Sequence, residues 1–295
     1  MQQPKIELAK TRDLGEVISD SFTFIRQNFK PLFKTVFTFC GLLILASAAT
    51  FTLQQLKVLD LQKHIFENRF ETFSTMSDRF GIEYALSMLF MLLSYTLMST
   101  TVLSYMAIYK QKGNIAPTTE EVWGYVKYYF FRILLGNVLL TPLLLIATAL
   151  CFAPGVYVYP IFGLIYPIMV IENASFGYAF NRSFKLINNN WWSTFGALII
   201  MVLIMYVAWM IFSIPNTIIT VLSALTHGRI SSSPIFTVIG SVLQQVGQVL
   251  YVLPIVTLVM CYFNLTEIIE GSGLIDRINQ FGSNSTNNQL PAEEY

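Results

Sequence analysis

Residues 172–196 read ENASFGYAFNRSFKLINNNWWSTFG, a charged amphipathic segment running directly into an apolar one. As a helix, this stretch places Phe176, Phe180, Phe184, Ile187 and Trp191 on one face of a 3.6-residue period. The opposite face carries Tyr178, Arg182, Lys185 and Asn189. Such a helix is expected to lie in the headgroup plane of a membrane, rings under the surface and cations reaching water or lipid phosphate. Its plain role is to anchor the span that follows. Its sharper role is a lipid or partner surface formed by Arg182, Lys185, Trp191 and Trp192.

The same spacing occurs earlier, at Leu14, Ile18, Phe22, Ile25 and Phe29, each 162 positions before its counterpart. Identities follow that register: Ser21 and Ser183, Phe22 and Phe184, Ile25 and Ile187, Asn28 and Asn190, Phe33 and Phe195. Two amphipathic helices share a spacing by chance, but shared identities followed by an apolar span at the same offset mark an internal repeat. Asp20 stands where Arg182 does, and Thr23 where Lys185 does, so the repeat carries an architecture rather than a fixed basic site. A weaker third copy has Val122, Val126, Phe130 and Ile133 at similar spacing, with Lys127 and Arg132 beside them. Thr118 or Thr119 is its candidate N-cap, ahead of Glu120 and Glu121.

Apolar runs then give the expected spans: residues 32–53, 84–109, 133–152, 193–212 and 238–263, each near the roughly 20 residues that cross a bilayer. Residues 156–171, with Pro160 and Pro167, read as a short kinked span or a re-entrant segment. The fold class is therefore all-α membrane protein, about six transmembrane helices in three hairpins, each preceded by an amphipathic interfacial helix. Residues 1–13 form a polar N-terminal segment, 14–270 one integral membrane domain, and 271–295 a polar tail expected to be disordered.

Between the first two spans, Phe66, Phe70 and Phe73 share a face of an expected extramembrane helix, on which His64 reads as a solvated residue. Pro215, Gly228 and Pro234 signal turns between the last two spans. The first apolar run begins too late for a cleaved signal peptide, so the N-terminus is expected to stay attached. Lysines and arginines concentrate on the side of the termini, which predicts both termini in the cytoplasm of a multipass bacterial inner-membrane protein. The Asn284 sequon would then lie on the wrong side for glycosylation.

Composition sets the exclusions. Hydrophobic residues make up 54% and charged ones 12%, half the usual charge of a soluble domain, so the excess must be buried in lipid. A net charge of +1 gives nucleic acid recognition no electrostatic support. Cys40, Cys151 and Cys261 sit in apolar runs without paired spacing, and His64 and His227 are far apart, so neither a disulfide framework nor a metal site is expected. No GxSxG, HExxH, P-loop or paired-cysteine motif supplies catalytic residues, and no cofactor is called for.

Polar groups inside the spans are where function is sought by default. Gln244, Gln245 and Gln248 in the last span face the bundle interior, either as interhelical hydrogen-bond partners or as the lining of a polar path. Glu172 is a candidate interface acid; it reaches Arg182 only if the chain turns near residues 173–175. Asn264 and Glu267 read as the emergence of the last span from the bilayer.

Ala179, Arg182, Ser183, Trp192 and Phe195 form an Ala-x-x-Arg-Ser helix with a following Trp-x-x-Phe that leads into a span. This pattern resembles the bacterial glycerophosphoryl diester phosphodiesterase membrane-domain family, and the resemblance extends over most of residues 10–270. In the name-giving members the membrane part is fused to a barrel hydrolase; its His-Arg and acidic motifs have no counterpart here. The resemblance implies a stand-alone inner-membrane protein of unsettled function. The first reading is a non-enzymatic protein that assists lipid or envelope-related transport or assembly through its interfacial helices, with membrane lipids and other membrane subunits as partners. A transporter using the glutamine path is the second reading, and a membrane-embedded hydrolase a remote third.

Overall fold

The computed structural model describes residues 5–67, 81–225 and 234–271. Among the described residues every regular element is helical: α1 Leu14–Gln27, α2 Phe29–Glu67, α3 Ile82–Gln111, α4 Thr119–Leu150, α5 Phe152–Ile171, α6 Phe176–Ile187, α7 Trp191–Leu225, α8 Pro234–Val246, a 3₁₀ turn Gly247–Tyr251, and α9 Val252–Glu270. Six stretches are long and apolar enough to cross a membrane: Phe29–Val58, Ile82–Gln111, Thr119–Leu150, Phe152–Ile171, Trp191–Ile218 and Pro234–Glu270. They form three hairpins, α2 with α3, α4 with α5, and α7 with α8 and α9. The protein is an all-α multipass membrane protein. The readings made for Phe70, Phe73, His227, Gly228, Asn284 and the tail after residue 271 fall outside the described residues, as do the side chains of His64 and Phe66.

Two helices form the middle. In α3 every residue from Met98 to Tyr109 is buried, and in α9 every residue from Val259 to Glu267. Around them the other spans turn large apolar side chains outward, among them Leu42, Leu45, Leu139, Leu203 and Val207. A soluble protein rarely exposes so continuous an apolar belt; in lipid it carries no penalty.

Local chemistry explains the helix ends. Asp13 and Glu16 form a capping box at the start of α1, Thr118 and Glu121 form another at α4, and the Ser175 side chain caps α6. Gly113 and Asn114, with φ of 66° and 65°, close α3, and Gly271 at 61° closes α9. Cys151 alone joins α4 to α5, in an extended conformation. A Cβ on Gly155 would stand 2.2 Å from Thr148 Oγ1 and 2.9 Å from its Cα, so this tight corner requires glycine.

The copies agree in burial as well as sequence. The buried positions of α1 are Val17, Ser21, Phe24 and Ile25; those of α6 are Ala179, Ser183, Leu186 and Ile187, the same four in the 162-residue register. The register continues into the spans, where Leu32, Thr35 and Val36 match Thr194, Ala197 and Leu198, all buried. The α4 copy joins at an offset of 105, from Asp13 to Thr118: its caps align, and Val122, Val126 and Tyr129 are buried.

Three sequence expectations change. The α4 copy has no separate interfacial helix, because its helix runs unbroken into the span. Asn28 interrupts the first copy, its side-chain amide donating to Phe24 O at 3.1 Å, and Asn188–Asn190 interrupt the third; Ile133 holds the equivalent place in α4. Second, the span after α6 does not stop near residue 212; α7 continues through Pro215 to Leu225. Third, the last span breaks into α8, the 3₁₀ turn and α9. Pro254 supplies no donor for the Leu250 carbonyl, and Gly247 sits where a Cβ would lie 3.0 Å from Trp209, so the chain tightens there. Residues 152–171, by contrast, are one continuous helix of 20 residues containing both prolines, about 30 Å long and enough to cross.

Candidate functional site

The ends of α1, α6 and α9 meet at one end of the bundle, and charged side chains tie them together. After α5, Asn173 turns the chain with a φ of 49°. This turn brings Glu172 back onto α6, where both of its carboxylate oxygens accept from Arg182 Nε, at 3.0 and 3.1 Å. Arg182 also donates to Glu270 at the end of α9, and Tyr262 OH donates to Glu172 Oε1 at 2.9 Å. Burial works against the Arg182 charge, but its hydrogen bonds to Glu270 and Glu172 outweigh that and raise its pKa above the ordinary guanidinium value.

A second cluster does the same for α1. Arg12, whose side chain is wholly buried, donates from Nε to Asp20 Oδ2 at 2.7 Å. Its Nη1 donates to the carbonyls of Leu8 and Lys10, at 2.8 and 2.9 Å, and its Nη2 to that of Glu7. The Arg12 backbone N–H donates to Asn264 Oδ1 on α9 at 2.7 Å. Ile6 and Leu8 are buried with it, so the segment before α1 belongs to the bundle. Asn264 and Glu267, in the last two turns of α9, are buried within the bundle too, at 6% and 9% exposure.

The predicted surface residues therefore divide. Arg182 faces its two acids, and Trp191 stacks between Tyr157 and Phe195 while its Nε1 donates to Tyr157 O at 3.0 Å. Lys185 and Trp192 point outward, Trp192 at 78% exposure. The small buried residues Ala179 and Ser183 are the ones that seat α6. Their signal was in the sequence, two small residues four apart, paired with Val17 and Ser21 in the first copy.

The glutamines gather at the break in the last span. Gln244 Oε1 accepts from Asn216 Nδ2 at 2.6 Å, while Gln248 donates to Gln245 and approaches Ser47 Oγ at 3.5 Å. Thr237, Ser241, Gln245 and Gln248 make the buried, polar face of α8 and the 3₁₀ turn, against α2. The buried hydroxyls of Thr52, Ser94, Thr237 and Ser241 have no hydrogen-bond partner among the described residues. A separate network was missed by sequence reasoning: Asn137 donates to Thr96 Oγ1 at 2.9 Å and accepts from Tyr166 OH at 2.7 Å, beside a cavity of about 270 Å³ lined by Tyr95, Tyr159 and Tyr251. Its signal was a lone asparagine in an apolar span. Among the described residues no cluster of three or more His, Cys, Asp or Glu could hold a metal ion.

The family described as "Domain of unknown function (DUF7847)" matches residues 114–267, just over half of the chain. The chain belongs to this family. The DUF7847 region begins just before α4 and ends in α9, so it takes in the second and third copies and most of the central helix α9, and leaves out α1 with Arg12, α2 and the other central helix, α3. Comparison with curated proteins and with solved structures gives no match.

Proposed function

We propose that this protein is a non-enzymatic bacterial inner-membrane protein that holds lipid at its cytoplasmic face and serves lipid or envelope-related transport or assembly. The observation that carries the reading is the concentration of cations and outward aromatic rings at the α1–α6 end. Lys30, Lys34 and Lys185 are exposed there beside Phe22, Phe29 and Trp192, whereas Lys57, at the opposite end, is paired with Glu83 at 3.0 Å. Cations beside rings at one membrane face suit anionic headgroups, and the positive side is the cytoplasmic one.

The test is tryptophan quenching by brominated lipids in mixed bilayers. Brominated phosphatidylglycerol is expected to quench the tryptophan emission, to which Trp191 and Trp192 contribute, more strongly than brominated phosphatidylcholine, and the combined Lys30→Gln, Lys34→Gln, Lys185→Gln variant to remove the preference. Equal quenching by both lipids in the unaltered protein defeats the reading.

A second reading, transport along the seam of α2 and α8, is favoured by the hydroxyls of Thr52, Thr237 and Ser241, which have no partner among the described residues; most buried hydroxyls are satisfied by protein or water, so these suit a water or polar solute in the seam. A path predicts that Ser241→Cys, in a background lacking the three native cysteines, reacts with a membrane-impermeant thiol reagent. Protection of that thiol in folded protein removes the path.

A further inference from the structure

Two of the arginines at this end of the bundle are neutralised by carboxylates: Arg12 by Asp20, and Arg182 by Glu172 and Glu270. Arg132, on α4, is not; among the described residues no carboxylate pairs with it. Its guanidinium lies over the rings of Tyr128 and Tyr129, 4.6 and 5.9 Å from their centroids, and its Nη2 donates to Tyr128 OH at 2.9 Å. A phenol that accepts from arginine keeps its own proton to donate, so Arg132 and Tyr128 together offer an anion donors of both kinds. The tyrosine faces hold the guanidinium without cancelling its charge.

This pair opens onto a cavity of about 540 Å³ between α4 and the turn joining α5 to α6, within the roughly 300–1,000 Å³ of small-molecule sites. Asn173 and Ser175 complete its polar end. One and two turns deeper along α4 the lining becomes Leu135 and Leu139, with Met169 opposite. Leu135 and Leu139 are 63% and 55% exposed on a span, where the surroundings are acyl chains. Gly136 keeps the wall thin: a Cβ there would lie 3.2 Å from Tyr166.

We propose that this cavity binds one anionic phospholipid, its phosphate on Arg132 and Tyr128 and the start of its acyl chains along Leu135, Leu139 and Met169. A cation without an acid partner sets the charge of the ligand, and an apolar wall continuous with the lipid-facing surface of α4 selects a lipid over free phosphate. Lys127, one turn earlier and over the Trp123 ring at 5.9 Å, adds to the positive field. The inference rests on the reading of this end of the bundle as the lipid-holding one, and names a discrete site within it.

Native mass spectrometry of the full chain in mild detergent tests it, with phosphatidylglycerol or phosphatidylcholine supplied in equal amount. The unaltered protein is expected to retain one more phosphatidylglycerol than phosphatidylcholine. Arg132→Gln should weaken retention of that lipid about tenfold, the equivalent of one charge-assisted contact, while Arg132→Lys keeps a substantial part of it. Excess inorganic phosphate should leave it in place; displacement by phosphate alone overturns the lipid as occupant. Retention unchanged in Arg132→Gln overturns the site. If the three-lysine variant loses its bilayer preference while Arg132→Gln retains the lipid, the site fails and the broader reading stands. If the unaltered protein shows preference in neither experiment, both fail. A melting temperature of Arg132→Gln close to that of the unaltered protein confirms that a loss is not unfolding.

Discussion

The first and third copies bury the same four positions and dock on the same post, α9, yet their ion pairs run in opposite directions. Before α1 the cation is in the preceding segment and the acid on the helix, Arg12 to Asp20; before α6 the acid is in the turn and the cation on the helix, Glu172 to Arg182. In both, α9 supplies the third member, Asn264 in one case and Glu270 with Tyr262 in the other. The repeated element thus needs an ion-paired clamp between the helix, the chain before it and α9, and either polarity serves. The α4 copy has no such clamp: Tyr125 stands where the others have Asp20 and Arg182, its hydroxyl bonded to Gln111 at 2.8 Å, and its helix runs straight on. That leaves the charge of Arg132 for a ligand.

The two clamps should differ in strength, and the largest effect is expected at the first. Arg12→Met removes a fully buried cation, strands three carbonyls and leaves Asp20 without its partner, a loss of about 3–5 kcal/mol, read as thermal unfolding in mild detergent. Arg182→Met, at a site one-fifth exposed, should cost about 1.5–3 kcal/mol in the same measurement. Reversing the charges sharpens the comparison. Glu172→Arg with Arg182→Glu, made together with Glu270→Gln so that the introduced carboxylate does not face a like charge, should regain at least half of that loss, whereas Arg12→Asp with Asp20→Arg should regain none, because the carbonyls of residues 7, 8 and 10 still lack their donor. Equal recovery in both would mean that the backbone bonds of Arg12 contribute nothing. The smallest effect is Tyr262→Phe, which takes one hydrogen bond from Glu172 and should cost about 1 kcal/mol.

Periodicity and length were enough to place the spans, because a bilayer demands long apolar helices and little else resembles them. The repeat was legible from Ser21, Ile25 and Asn28 against Ser183, Ile187 and Asn190. The sequence was less informative about faces. Phe176, Phe180 and Phe184 mark the most apolar side of α6, and the first two pack partly against the core, but Ala179 and Ser183 are the ones buried outright, because small residues allow close approach while lipid solvates an exposed Phe184 as well as protein does. The breaks at residues 247–251 and the continuity through Pro215 depend on neighbours, Trp209 and the partners of α7, which local sequence does not name. The Glu172–Arg182 pair was visible only as a condition, a turn near residue 173, which the positive φ of Asn173 supplies. The isolation of Arg132 was not visible at all, since it depends on which acids fold onto which cations.

Hydrogen exchange read by mass spectrometry tests the central claim, that two equivalent helices are clamped separately to one post. Asn264→Ala should raise exchange in residues 5–27 and leave residues 172–187 protected, while Glu270→Gln should raise it in 172–187 and leave 5–27 unchanged. If either substitution loosens both regions together, or neither, the two-clamp account is wrong.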